Sequence, residues 1–134
     1  MNGLPVDHIA LATPDLEEAI PLYERITGAR SSPIEELPAQ GVRVAFVGVL
    51  ELLEPLSPDS TVARFLEKQG PGLHHIAYRT ADIRFELRRL ESQGFELIDS
   101  EPRPGAGGHL VAFLHPRSTG KVLIELVQVN HGAP

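Results

Sequence analysis

The 134-residue chain contains no cysteine. That excludes disulfides, thiolate-bound zinc and a cysteine nucleophile, and it fits a reducing compartment. Basic residues are also short: 12 Lys and Arg stand against 18 Asp and Glu, for a net charge of −6. This balance argues against nucleic acid or an anionic membrane as a partner. It leaves room for an anionic substrate, because a metal or a local basic patch can dominate a site. No apolar run approaches the roughly 20 residues needed to span a bilayer. The opening MNGLPVDH has no basic segment followed by an apolar one, so no signal peptide is read and a cytoplasmic location is expected. The glycine motifs of nucleotide and acyl-transfer sites are missing: there is no G-x-G-x-x-G after a strand, no G-x-x-x-x-G-K-[ST] and no G-x-S-x-G. GAGG (Gly105 to Gly108) precedes a strand rather than a helix, which makes it a mobile loop or tight turn and not a phosphate cradle.

What the chain does have is an internal repeat. HIALATPDL (His8 to Leu16) matches HIAYRTADI (His75 to Ile83) 67 positions later. VAF recurs at the same offset, at Val44 to Phe46 and Val111 to Phe113. The halves then slip: VLEL (Val49 to Leu52) matches LIEL (Leu123 to Leu126), with Glu51 opposite Glu125 at an offset of 74. HPRSTGK (His115 to Lys121) is the extra loop that this slip implies. A repeat of this kind is the first feature to settle, because it decides the architecture.

Both halves share one plan. VDHIALA reads as a short strand. TPDLEEAIPLYERITG reads as a helix with Thr13 or Asp15 as cap, acidic residues in the first turn and Gly28 as the stop. Pro21 is expected to kink or shorten it. TADIRFELRRLESQG repeats the plan, with Ile83, Leu87 and Leu90 on one face and Gly94 at the end. Three strands are expected after each helix: near 29–36, 42–48 and 49–54, then near 96–99, 109–114 and 122–128. A connector carries a short helix capped by Ser60 or Asp59. The expected plan is a single domain, with module 1 at about 4–56, the connector at about 57–72 and module 2 at about 73–129.

Equivalent side chains of two related modules meet when the modules pack about a pseudo-twofold axis. His8 and His75 form one equivalent pair, and Glu51 and Glu125 the other. Two imidazoles and two carboxylates make an N₂O₂ set for a divalent ion. A strand histidine is more often a hydrogen-bonded core residue, and a strand glutamate more often faces solvent. Against that, Glu125 lies within KVLIELVQV and Glu51 within VGVLELLEPL, runs in which a carboxylate is costly unless paired or ligating. Glu54, three residues on from Glu51, falls on the opposite strand face, near Gln128 in the repeat. The alternation likewise turns His74 away from His75 and assigns it a structural or surface role. His109 and His115 are weaker candidates for substrate contact, and His131 in the tail is expected to be solvated.

Paired βαβββ modules with a His/Glu set resemble the vicinal oxygen chelate superfamily, which includes glyoxalase I and extradiol dioxygenases. Within it, ELLEPLSPDSTVARFLEKQGPGLHHIA and GAGGHLVAFLHPRSTGKVLIEL resemble the methylmalonyl-CoA epimerase family. The similarity runs from VDHIALATPDLEEAI to IELVQ. The resemblance implies an α+β fold in which two βαβββ modules, related by a pseudo-twofold, form a curved mixed sheet around a metal site. It implies a divalent ion (Co²⁺ foremost, with Mn²⁺, Ni²⁺, Zn²⁺ and Mg²⁺ as options) at His8, Glu51, His75 and Glu125. It also implies an acyl-CoA thioester as substrate, epimerised at C2 of methylmalonyl-CoA by enolisation and reprotonation, with Glu125 as one acid/base residue. The family's second acid/base glutamate follows a QGV segment by two positions. Here that position is Val44, which cannot move a proton, and Glu51 or a metal-bound water is expected to serve instead. Glutamate at position 51 is also the glyoxalase I pattern. Glyoxalase I-type isomerisation of a thiohemiacetal is therefore the alternative activity, and a non-catalytic ligand-binding protein on the same fold is the alternative class. CoA calls for basic residues at the rim of its groove, and Arg43, Arg64, Lys68, Arg117 and Lys121 are available. Such modules often pair between chains, so a homodimer is expected.

Overall fold

A computed structural model of the chain describes residues 3–129, so His131 lies outside the described residues. The chain forms two compact units. The first, residues 8–74, holds most of strand β1 (Val6–Ala12), helix α1 (Leu16–Thr27), β2 (Glu35–Leu37), β3 (Val42–Val47), β4 (Leu50–Pro55) and α2 (Thr61–Gln69). Its strands are ordered β2-β3-β4-β1. The second, residues 75–129 with 3–7, holds most of β5 (Gly72–Arg79), α3 (Ile83–Ser92), β6 (Arg103–Pro104), β7 (Leu110–Leu114) and β8 (Ile124–Gln128). Its strands are ordered β5-β8-β7-β6. The chain start is tied to the second unit by Arg79, whose backbone N–H donates to Pro5 O at 2.8 Å and whose Nε lies 3.1 Å from Asp7 Oδ1.

The two helices that follow the repeated strand are capped alike. Asp15 Oδ1 accepts from Glu18 N at 3.3 Å, and Asp82 Oδ1 from Phe85 N at 3.1 Å, each satisfying an orphan donor of the first turn. Gly28 takes the left-handed conformation that closes α1. Pro21 does not shorten α1, which runs on to Thr27. Pro21 and Glu17 are both exposed, so the carbonyl that loses its intrahelical partner can turn to water.

Each helix buries one face against the back of its sheet. In the first unit Leu16 and Ala19 pack with Val47 and Leu52. In the second Ile83, Leu87 and Leu90 pack with Ala112, Leu114 and Leu126. Leu52 and Leu126 occupy the same register, opposite Ala45 and Ala112, and burying each contributes about 2 kcal/mol. Because strand side chains alternate, placing these leucines under the helices turns their neighbours Glu51 and Glu125 to the other face.

Two expected strands are corrected. Of residues 29–36, the first six form only a bridge at Ser31 to Val47, and the strand itself is the short β2, Glu35–Leu37, after Pro33. Residues 96–99 form only a bridge from Leu97 to Leu114. The Asp99 side chain there accepts from Phe113 N at 2.9 Å, a donor that a continuing ladder would use. The outer strand of the second unit is instead the two-residue β6, bounded by Pro102 and ending at Pro104. The glycine-rich segment is a tight turn between β6 and β7. A side chain at Gly105 would stand 2.7 Å from Val111 Cγ1, so the close approach of backbone to strand requires glycine there.

Candidate functional site

Each unit carries the same small constellation on the sheet face away from its helix. In the first, β1 runs parallel to β4 with Ala10 opposite Glu51. His8, two residues before Ala10, therefore shares the face of Glu51. Its Nε2 lies 3.2 Å from Glu51 Oε1. Phe46 on β3 stands directly opposite Glu51, and its ring meets His8 edge-on at 5.6 Å. In the second, β5 runs parallel to β8 with Ala77 opposite Glu125. His75 Nε2 lies 3.0 Å from Glu125 Oε1. Phe113 stands opposite Glu125, and its ring meets His75 edge-on at 5.3 Å. Ala10 and Ala77 are fully buried and leave space where a larger side chain would separate histidine from glutamate. The phenylalanines were not singled out from sequence, although the repeated VAF segments contain both.

All four polar residues are buried, at 3–6% exposure. A histidine and a carboxylate at this spacing can simply share a hydrogen bond. They also have the spacing of adjacent ligands: with bonds of about 2.1 Å, neighbours around one ion lie about 3.0 Å apart. Imidazole nitrogen and carboxylate oxygen are donors that suit first-row divalent ions. The donor set of each unit thus fits half of a metal site, and each half is fixed by its strand register.

The remaining sequence candidates fall elsewhere. Glu54 and Gln128 are equivalent, as the repeat suggested, and both serve helix starts. Glu54 Oε2 accepts from Leu16 N, and Gln128 Oε1 accepts from Ile83 N, each at 2.9 Å. Burial works against the charge of Glu54, but hydrogen bonds from Arg43 and Leu16 outweigh it and hold the carboxyl below its usual pKa. Hydrogen bonds to Glu54 and Glu17 push the Arg43 guanidinium above its ordinary value. His74 packs edge-on against Phe65 at 5.0 Å, away from the His75 face. His115 Nδ1 accepts from Arg117 N at 3.1 Å, a capping role. Of the basic residues considered for the CoA rim, Arg43 is bound by Glu17 and Glu54, Arg117 by Glu96, and Arg64 donates to Asp59 O. A basic residue not considered, Arg103, has its guanidinium carbon 5.7 Å above the Phe113 ring. Its signal in the sequence was slight: one arginine between two prolines, ahead of the glycine turn. Among the described residues no helix is long and apolar enough to cross a membrane.

The model of the Glyoxalase/Bleomycin resistance protein/Dioxygenase superfamily matches residues 7–113. The chain is 41% identical over 128 residues to the mitochondrial methylmalonyl-CoA epimerase of Homo sapiens, a match covering 92% of this chain and 73% of that one. It is 41% identical over 130 residues to an ethylmalonyl-CoA/methylmalonyl-CoA epimerase of Cereibacter sphaeroides, covering 92% and 97% respectively. A methylmalonyl-CoA epimerase solved in complex with methylmalonyl-CoA and NH₄⁺ superposes with a TM-score of 0.93 at 34% identity, over 97% of each chain. By these similarities the chain belongs to the Glyoxalase/Bleomycin resistance protein/Dioxygenase superfamily and, within it, to the methylmalonyl-CoA epimerase family.

Proposed function

We propose that this chain inverts the configuration at C2 of methylmalonyl-CoA, with His8, Glu51, His75 and Glu125 holding one divalent ion between them. The reading rests on one observation above all: each unit presents the same buried histidine–glutamate pair, in the same register, on the same sheet face. The relatives named above add the substrate class.

The C2 proton beside a thioester is a very weak acid, and its removal is the difficult step. When bound, the ion supplies positive charge next to the oxygen on which negative charge builds as that proton leaves. The chain's own part is proton transfer. Glu125 takes the proton from C2 on one face. Inversion needs a group on the other face as well. Val44, where the family resemblance implies a glutamate, is buried and apolar and moves no proton. Glu51, the counterpart of Glu125, delivers a proton of its own to the other face, so that each turnover leaves Glu125 protonated and Glu51 ionised. Buried Phe113, Ala10 and Ala77 and half-buried Phe46 limit the access of water to the carboxylates, which raises the effect of every charge in the site.

The test is deuterium wash-in at C2 of methylmalonyl-CoA in ²H₂O, with and without a chelator, alongside metal analysis of the purified protein. Exchange accompanied by epimerisation, abolished by the chelator and restored by Co²⁺ or another divalent ion, is expected. A protein that exchanges no deuterium under any metal is not an epimerase of this substrate.

A further inference from the structure

We infer that Arg103 binds a phosphate group of the CoA moiety and so directs the long anionic arm of the substrate over the sheet face of the second unit. This rests on the acyl-CoA reading above and adds a residue to it. The strand register places Arg103 opposite Val111, and Val111 opposite Val127, two residues on from Glu125. Arg103 therefore lies on the face that carries His75 and Glu125, at its outer edge. The guanidinium is held in place there. It covers the Phe113 ring, and its Nε lies 3.6 Å from Asp99 Oδ1, too far for a hydrogen bond. That Nε is buried and meets no hydrogen-bond acceptor among the described residues. The side chain as a whole is 42% exposed.

The Phe113 ring contacts both the Arg103 guanidinium and the His75 ring. The carboxylate on C2 belongs beside the ligand pair. An anion that Arg103 meets must then lie further along the thioester, and the phosphates are the anions there. An arginine fork suits phosphate oxygens, and a ring beneath it limits its freedom in advance. The first unit reverses this arrangement. Glu35 stands opposite Val44, the counterpart of Val111, and Val44 is opposite Leu53, two residues on from Glu51. An exposed carboxylate thus occupies the edge position that Arg103 fills in the second unit.

The experiment compares Arg103→Gln and Arg103→Lys with the native holoenzyme on two substrates, methylmalonyl-CoA and methylmalonyl-pantetheine, which lacks the phosphates. Calorimetric titration with free CoA is run on all three proteins. Arg103→Gln is expected to raise KM for the CoA thioester by about tenfold or more with kcat unchanged. It leaves KM for the pantetheine thioester within twofold and weakens free CoA by a similar factor. Arg103→Lys recovers part of both losses. An equal loss on both thioesters, or unaltered CoA binding in Arg103→Gln, overturns the assignment. Should the native protein fail to epimerise methylmalonyl-CoA while still binding CoA through Arg103, the assignment stands and the proposed activity falls.

Discussion

The two units repeat each other closely around the buried histidine–glutamate pair that each carries and diverge in the charges at their sheet edges. Both place histidine on the leading parallel strand, alanine two residues on, glutamate opposite the alanine and phenylalanine opposite the glutamate. Both cap the following helix with aspartate. The differences are at the edges. Glu35 faces Val44 where Arg103 faces Val111, and Arg43 faces Glu54 where Leu110 faces Gln128. A duplicated fold can hold a symmetric pair of acids around one reacting carbon, yet the substrate is not symmetric: it has one long anionic arm.

The largest effects come from breaking the equivalence of the two acids. Glu125→Gln is expected to slow epimerisation by about 10²–10⁴-fold, the range for loss of a general base, and Glu51→Gln by well over tenfold. Inversion requires both groups, whereas exchange of the C2 proton on one face requires only one. Each variant should therefore keep deuterium exchange for one epimer of methylmalonyl-CoA and lose it for the other, with opposite preferences. NMR of the separated epimers reads this directly. Glu51→Gln retaining full epimerase activity would remove Glu51 from proton transfer and return the second role to another group. Metal content measured in parallel keeps loss of the ion distinct from loss of the base, since glutamine still offers an oxygen.

Much of the fold was legible because the repeat fixes register. His8 and His75 align outright, so the repeat register chose His75 over His74, and strand alternation then turned His74 to the other face. The expected pairing of Glu51 with Glu125 matches their identical places opposite Ala10 and Ala77. The helices were legible from their cap candidates: of Thr13 or Asp15 the structure uses Asp15, of Ser60 or Asp59 it uses Ser60, and Asp82 takes the place of Asp15 in the repeat. The outer strands were not. Their residues pair on one side only, so burial imposes no alternation, and Pro33, Pro102 and Pro104 break the pattern that remains. Pro21 misled because its cost depends on whether the freed carbonyl reaches water, which sequence does not reveal. Arg103 was overlooked for a related reason. Its importance lies in the ring beneath it and the face it shares with Glu125, both of which arise only when β6, β7 and β8 come into register.

The smallest expected effect tests the outer divergence at the helix starts. Glu54 and Gln128 do the same work, but Glu54 carries a charge that Arg43 balances, whereas Gln128 faces Leu110 and carries none. Arg43→Leu alone leaves Glu54 charged without its cation. Arg43→Leu combined with Glu54→Gln recreates the pair that the second unit already uses. The single variant should melt at a lower temperature than the double, although the double changes more residues, because the two substitutions are coupled through one contact. A difference of about 1 kcal/mol, the net worth of a hydrogen bond, amounts to about 3–5 °C for a chain of this size. The pH dependence has a definite sign. The folded carboxyl of Glu54 is held below its ordinary value of 4.5. Its contribution is therefore present above that value and is lost as pH falls through it toward the folded pKa. The native protein should lose its advantage over Glu54→Gln as pH falls from about 6 toward 3, as followed by thermal melts across that range. An advantage that holds constant down to pH 3 would mean that Glu54 contributes through packing and hydrogen bonding alone, and that the charged and neutral caps of the two units are physically interchangeable.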